Sequence, residues 1–158
     1  YGGIIAGGLA IYFFSKKKKI KFLTLADCVA PGLALAQSIG RWGNYINGEA
    51  HGGVTDVPWA ILVNGQRVHP TFFYESAVNF FIFLFLYFYL SKRQKYDGQL
   101  FAFYTIVYGI ARFFIEGMRT DSLYMGTFRV SQIVSIGIII IGIIISVIGR
   151  KNLQKNNN

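Results

Sequence analysis

Five apolar stretches, separated by short polar breaks, account for most of the chain: residues 1–14, 22–39, 71–90, 99–118 and 130–149. The last is the plainest, twenty residues dominated by isoleucine and free of charge. That is the length a helix needs to cross a bilayer. So much isoleucine and valine would suit a strand in water, but in lipid only a helix satisfies every backbone group within one segment. The stretch 1–14 covers about 21 Å at 1.5 Å per residue, short of the ~30 Å hydrocarbon core. It carries no cationic leader or cleavage site, so it reads as a helix cut short in a chain that lacks its N-terminal part. Between 59 and 68 the periodicity changes. Residues 59–63, then Asn64-Gly65, then Gln66-Arg67-Val68 predict a short hairpin with a type I′ turn. The pattern as a whole predicts an all-α polytopic membrane protein, a bundle of about five transmembrane helices with a small extracytoplasmic β-hairpin cap. Residues 152–158 are polar and are expected to be disordered.

Composition changes this picture little. The chain has 158 residues and is 53% hydrophobic, and one soluble core would not hide so many unbroken apolar runs. The net charge of +9 does not mark a nucleic-acid surface, because no basic face is interleaved with aromatic base platforms. The cations instead assign sides. Lys16, Lys17, Lys18, Lys19, Lys21, then Lys92, Arg93, Lys95, then Arg150, Lys151 and Lys155 occupy alternate loops, 11 of the 16 Lys and Arg residues. By the positive-inside rule those loops and the C-terminus face the cytoplasm. The opposite side holds only Arg41, Arg67, Arg112, Arg119 and Arg129. A single cysteine, Cys28, excludes an internal disulfide and any multi-cysteine metal site. No metal or cofactor is called for.

Chemistry concentrates where the second apolar stretch ends, in Gly40-Arg41-Trp42-Gly43-Asn44-Tyr45-Ile46-Asn47-Gly48-Glu49-Ala50-His51-Gly52. An ionisable group at membrane depth is a functional-site hypothesis by default, and arginine's planar fork fits phosphate. The glycines suggest tight turns, so this segment reads as non-helical backbone lining a polar cavity. A second set, Tyr108, Arg112, Glu116 and Arg119, recurs at spacings that share one helical face. An Arg112–Glu116 pair accounts for the carboxylate and leaves Arg41 and Arg119 as surplus positive charge, which an anionic ligand would balance. A third, His69-Pro70-Thr71-Phe72-Phe73-Tyr74-Glu75, opens the third stretch. Pro70 suits a helix start, Glu75 would meet the positive end of the helix dipole, and His69 is either a general base or an interface histidine.

These blocks resemble the prolipoprotein diacylglyceryl transferase family of bacteria. Gly40-Arg41-x-x-Asn44-x-x-Asn47-x-Glu49-x-x-Gly52 is similar to its signature without a gap. His69-Pro70-x-x-x-Tyr74-Glu75 and Tyr108-Gly109-x-x-Arg112-Phe113-x-x-Glu116-x-x-Arg119 resemble two later blocks in the same order. Tyr1-Gly2-Gly3 resembles a glycine-rich block that often begins with histidine, so a base assigned there does not transfer. The resemblance implies a seven-helix enzyme of the bacterial cytoplasmic membrane, with its site toward the extracytoplasmic side and its first two helices absent here. Residues 1–150 would form one transmembrane catalytic domain, with cap and signature loop in 41–70 and a cytoplasmic tail in 151–158. Such enzymes move the diacylglyceryl group of phosphatidylglycerol to the lipobox cysteine at the signal peptide of a prolipoprotein, leaving glycerol phosphate. Carried over by motif, Arg41 would hold the lipid phosphate and Arg112 would be the second essential arginine. Asn44, Glu49 and Gly52 would shape the site, with Glu116 and Arg119 in support and Asn47, Tyr74, Glu75 and Tyr108 completing the lipid-binding set. The implied partners are phosphatidylglycerol, the prolipoprotein and membrane lipids, not nucleic acid.

Thioether formation requires a thiol to ionise and a phosphate ester oxygen to leave. Arginines aimed at that oxygen would stabilise the developing charge. Glu49, Glu116 and His69 are the candidate proton acceptors. The competing class is a transporter or flippase that passes an anion along the same arginines. It predicts polar groups through the full bilayer depth and internal repeats, whereas the polar groups gather at the outer segment ends and no repeat is visible.

Overall fold

The computed structural model describes residues 2–49, 51–119, 124–125 and 128–157. Tyr1, and with it the first residue of the glycine-rich block, lies outside them. Five helices follow the five apolar stretches: α1 Gly2–Lys18, α2 Phe22–Ile46, α3 Thr71–Leu84, α4 Gln99–Met118 and α5 Val130–Asn157. α3 continues as a π-helical turn over Phe85–Leu90 and a 3-10 turn over Ser91–Arg93. Four spans are long and apolar enough to cross a membrane: Phe22–Ile46, Thr71–Arg93, Gln99–Met118 and Val130–Lys155. α1, at 17 residues, is the short one. Much of the apolar surface faces outward, including Ile140, Ile141, Ile143 and Ile144 of α5. An apolar face of that extent is stable in lipid, not in water.

α2 and α3 pack antiparallel through small groups. Ala30 and Ala34 are fully buried against Ile82, Leu86 and Leu90. Further out, the Ser38 hydroxyl donates to the Ser76 carbonyl at 2.9 Å, and the Trp42 indole N–H donates to Ser76 Oγ at 3.1 Å. The Tyr45 and Phe72 rings then stack at 4.7 Å. α4 and α5 come equally close. A methyl added at Gly109 would lie 2.6 Å from Ile139 Cγ1 and 3.1 Å from the Ser135 carbonyl oxygen. Small residues at such crossings are how membrane helices gain dispersion contact without a hydrophobic driving force.

The hairpin forms as the Asn-Gly pair predicts. β1 Ile61–Val63 pairs antiparallel with β2 Gln66–Val68 in the register Val63↔Gln66. Asn64 and Gly65 have φ of 50° and 80°, both positive as a type I′ turn demands. A second two-residue ladder, β3 Tyr124–Met125 with β4 Phe128–Arg129, precedes α5.

Two expectations are corrected. The signature was read as non-helical, yet α2 runs through Gly40-Arg41-Trp42-Gly43-Asn44-Tyr45-Ile46 before the chain turns at Gly48, φ 68°. In lipid no water competes for the backbone, so glycine breaks a helix less readily there, and Trp42 and Tyr45 anchor this turn on Phe72. The tail is not irregular either. α5 continues to Asn157, and the half-buried Leu153 lines a cavity together with Tyr96 and Ile148.

Candidate active site

Three helices deliver charge to one end of the bundle. Arg41 comes from the last turns of α2, Glu75 is the fifth residue of α3, and Arg112 and Glu116 lie near the end of α4. Glu75 joins both arginines: its Oε2 faces Arg41 Nε and its Oε1 accepts from Arg112 Nη1. Arg112 Nη2 also lies 2.7 Å from Glu116 Oε2, which is the expected i,i+4 pair. Arg129, just before α5, donates through Nη1 to the Glu116 backbone carbonyl. Both carboxylates are buried, and the Arg41 and Arg112 side chains keep 21% and 15% of their surface. Each lone charge at bilayer depth costs about 2.5–3.5 kcal/mol on insertion scales. Two arginines and two glutamates persist there only as a closed set.

This geometry revises two readings. Glu75 sits beyond the first turn, where the dipole effect has faded; its partners are the guanidinium groups. Arg41 is therefore not surplus charge, although its only partner among the described residues is Glu75, at its Nε edge. A guanidinium has five N–H donors, so its terminal fork keeps capacity for a further anion.

A second knot stands beside this node. The Gly52 N–H donates to the His69 carbonyl at 2.9 Å, the His69 N–H to the Gly53 carbonyl at 3.1 Å, and the Gly53 N–H to the Met118 carbonyl at 3.1 Å. A methyl at Gly52 would sit 2.7 Å from His69 Cβ and 3.1 Å from the Met118 oxygen. Only glycine lets the signature, the hairpin exit and the end of α4 cross there. Arg119 is not on the helical stripe. It is the extended residue that ends α4, and its backbone bridges Gly52. Tyr74 Oη accepts from Trp59 Nε1 at 2.7 Å and lies 3.2 Å from His69 Nδ1. Trp59 can only donate, so the Tyr74 proton is left for His69. Tyr108, one turn from Arg112, stacks on Tyr104 at 5.5 Å, whose hydroxyl donates to Gln37 at 2.7 Å.

Asn44 lies in the last turn of α2, Asn47 caps it, and Glu49 follows the turn at Gly48. None of the three joins the ion pairs of the node among the described residues. The Asn47 N–H closes the helix on the Gly43 carbonyl at 3.0 Å, and the Glu49 N–H reaches the Asn44 carbonyl at 2.9 Å. With Tyr45, Gly48 and Phe72, Glu49 lines a cavity of about 330 Å³ under the hairpin. Sequence reasoning gave no role to His51, which lines the same cavity, to Arg129, or to the Ser38–Trp42–Ser76 cluster. Arg129 had a signal, as one of the few cations outside the lysine-bearing loops. The serines had none, since single small polar residues in an apolar run mark no position.

The profile of the family described as prolipoprotein diacylglyceryl transferase matches residues 1–148. The chain belongs to that family. It is 53% identical over 157 residues to a phosphatidylglycerol–prolipoprotein diacylglyceryl transferase of Finegoldia magna, covering 99% of this chain and 63% of that protein. The corresponding protein of Clostridioides difficile is also 53% identical, over 99% of this chain and 61% of its own length. One from Clostridium botulinum strain 657 is 45% identical over 166 residues. The chain thus spans about 60% of the length of these curated relatives. Within this prolipoprotein diacylglyceryl transferase family member, the signature and the two later blocks converge through Arg41, Glu75 and Arg112, and through Gly52, His69 and Arg119.

Proposed function

We propose that the protein transfers the diacylglyceryl group of phosphatidylglycerol to the cysteine thiol of a prolipoprotein, forming a thioether and releasing glycerol phosphate. It does so from the bacterial cytoplasmic membrane, with the arginine node toward the extracytoplasmic side and the C-terminus in the cytoplasm, as its alternating lysine loops favour. The observation that carries this reading is the meeting of Arg41 and Arg112 on one buried carboxylate. Glu75 holds the two guanidinium groups side by side, so that unengaged donors present a preformed seat for one phosphate diester. Gly52, His69 and Tyr74 hold the chain crossing that frames this seat, and Tyr108 walls it from α4. Asn44, Asn47, Glu49 and Arg119 border it.

The reaction is a displacement at the glyceryl carbon next to the phosphate. The thiolate brings one electron pair, and the C–O pair leaves with the phosphate as a monoester. Negative charge grows on that oxygen, where a fixed guanidinium in a dry site stabilises it best. Glu116 keeps Arg112 in place, a supporting role.

The test is Arg41→Lys in the full chain, assayed with phosphatidylglycerol vesicles and a lipobox peptide. Lysine keeps the charge but loses the fork, so turnover should fall by about 10²–10³, the cost of one such donor. Thioether peptide, measured by mass, and glycerol phosphate should fall together. Undiminished turnover would refute a bidentate seat.

A further inference from the structure

The cavity under the hairpin is not part of the arginine node, yet it is in register with it. Its walls include Tyr45, four residues beyond Arg41 on α2, and Phe72, three before Glu75 on α3. Those spacings place each pair on one helical face. Because Arg41 meets Glu75 and Tyr45 stacks on Phe72, the cavity opens about one helical turn, ~5 Å, beyond the node. Its lining is mixed: Ile61 and Val63 of the hairpin, the two aromatic rings, and two titratable side chains, Glu49 and His51. The half-buried His51 points Nδ1 at the Gly52 carbonyl, 3.3 Å away. A carbonyl only accepts, so this contact puts the ring hydrogen on Nδ1 and leaves a lone pair on Nε2. By contrast, His69 faces the Tyr74 hydroxyl, which already accepts from Trp59.

Building on the transfer reading above, we propose that this cavity receives the acceptor cysteine and that His51 Nε2 takes its proton. The apolar walls suit the flanking residues of a signal-peptide segment, which enters from lipid and places its thiol between histidine and node. The step balances. The S–H bond breaks, its proton passes to Nε2, and the thiolate attacks the glyceryl carbon. The carbon–oxygen pair departs with the phosphate on the arginines. Glu49 across the cavity offers a counter-charge to the imidazolium, and the proton returns to water as the products leave.

The experiment compares cysteine and selenocysteine lipobox peptides with the full chain in phosphatidylglycerol vesicles. A selenol is ionised at neutral pH and needs no base. His51→Gln should lower kcat for the cysteine peptide by about 10²-fold or more, the usual contribution of a general base. KM and the thermal midpoint should stay near wild type, and the selenocysteine peptide should react at close to the wild-type rate. Equal loss with both peptides would make His51 structural and overturn the proposal. Full activity of His51→Gln with cysteine would overturn it too. Failure of the transfer reading looks different: the unmodified protein would then make no thioether with either peptide.

Discussion

The two ends of this bundle each bury one carboxylate that reaches from helix to helix, and they use it differently. At one end Glu75 receives two guanidinium groups. At the opposite end Asp27, equally buried on α2, receives the backbone N–H groups of Gly98 at 2.5 Å and Phe101 at 2.9 Å, and Gln94 Nε2 at 2.6 Å. Gly98 precedes α4, whose first turn has no side-chain cap of its own. Asp27 therefore supplies, from another helix, the acceptor that orphan N–H groups and the helix dipole require. That set of bonds is complete in itself. The Glu75 set is not, because each arginine brings more donors than one carboxylate can accept. Cavity size would mislead here. The larger of the two spaces, about 820 Å³ lined by Lys21, Tyr96 and Ile148 among others, lies at the Asp27 end. The proposed site is marked by spare, convergent donors and not by volume.

The sharpest way to break this comparison is Glu75→Gln. Removing one partner from a buried charge set typically costs about 3–5 kcal/mol, because the others are left uncompensated. Thermal unfolding in detergent should show that loss, and turnover should vanish. If the variant kept both stability and turnover, Glu75 would not organise the site and the contrast with Asp27 would dissolve.

Asp27→Asn sharpens the comparison from the other side. Gly98 and Gln94 donate to Asp27 Oδ2 and Phe101 donates to Oδ1. An amide keeps one acceptor and turns its NH2 on the other donor, so the loss should be about 1–3 kcal/mol, the cost of a buried donor left unmatched. Turnover per folded molecule should be unchanged, measured against the folded fraction at each temperature. A drop in specific turnover would mean that the Asp27 clasp communicates with the arginine node.

How much of this was legible beforehand follows the range of the interactions. The hairpin and α4 could be read locally, because Asn64-Gly65 selects a turn and residues 99–118 are a mostly apolar stretch whose charges fall on one helical face. The Arg112–Glu116 pair was legible for the same reason, being one helical turn apart. The Arg41–Glu75 contact depends on how α2 and α3 are set against each other, through Ala34, Ser38 and Ser76, and no local spacing encodes that. Gly40 and Gly43 misled in the opposite direction. Their turn propensity belongs to water, whereas here they continue a helix.

The smallest effect expected also lies at the Asp27 end. Asp97, between α3 and α4, is held below the usual carboxylate range, first by its hydrogen bond from Lys21 at 3.0 Å. A depressed folded-state value means the pair stabilises the protein above the ordinary carboxylate pKa, and that contribution is lost as pH falls through the lowered one. Asp97→Asn should therefore flatten the acid limb of stability against pH and leave neutral turnover alone. Both partners are well exposed, so the change should not exceed ~1 kcal/mol, the ordinary ceiling for a surface pair. It should also shrink further in salt. A larger, salt-insensitive loss would show that Lys21 and Asp97 act with Asp27 as one clasp. The Asp27 end would then be an ionic node in its own right, and the difference between the two ends would be one of degree.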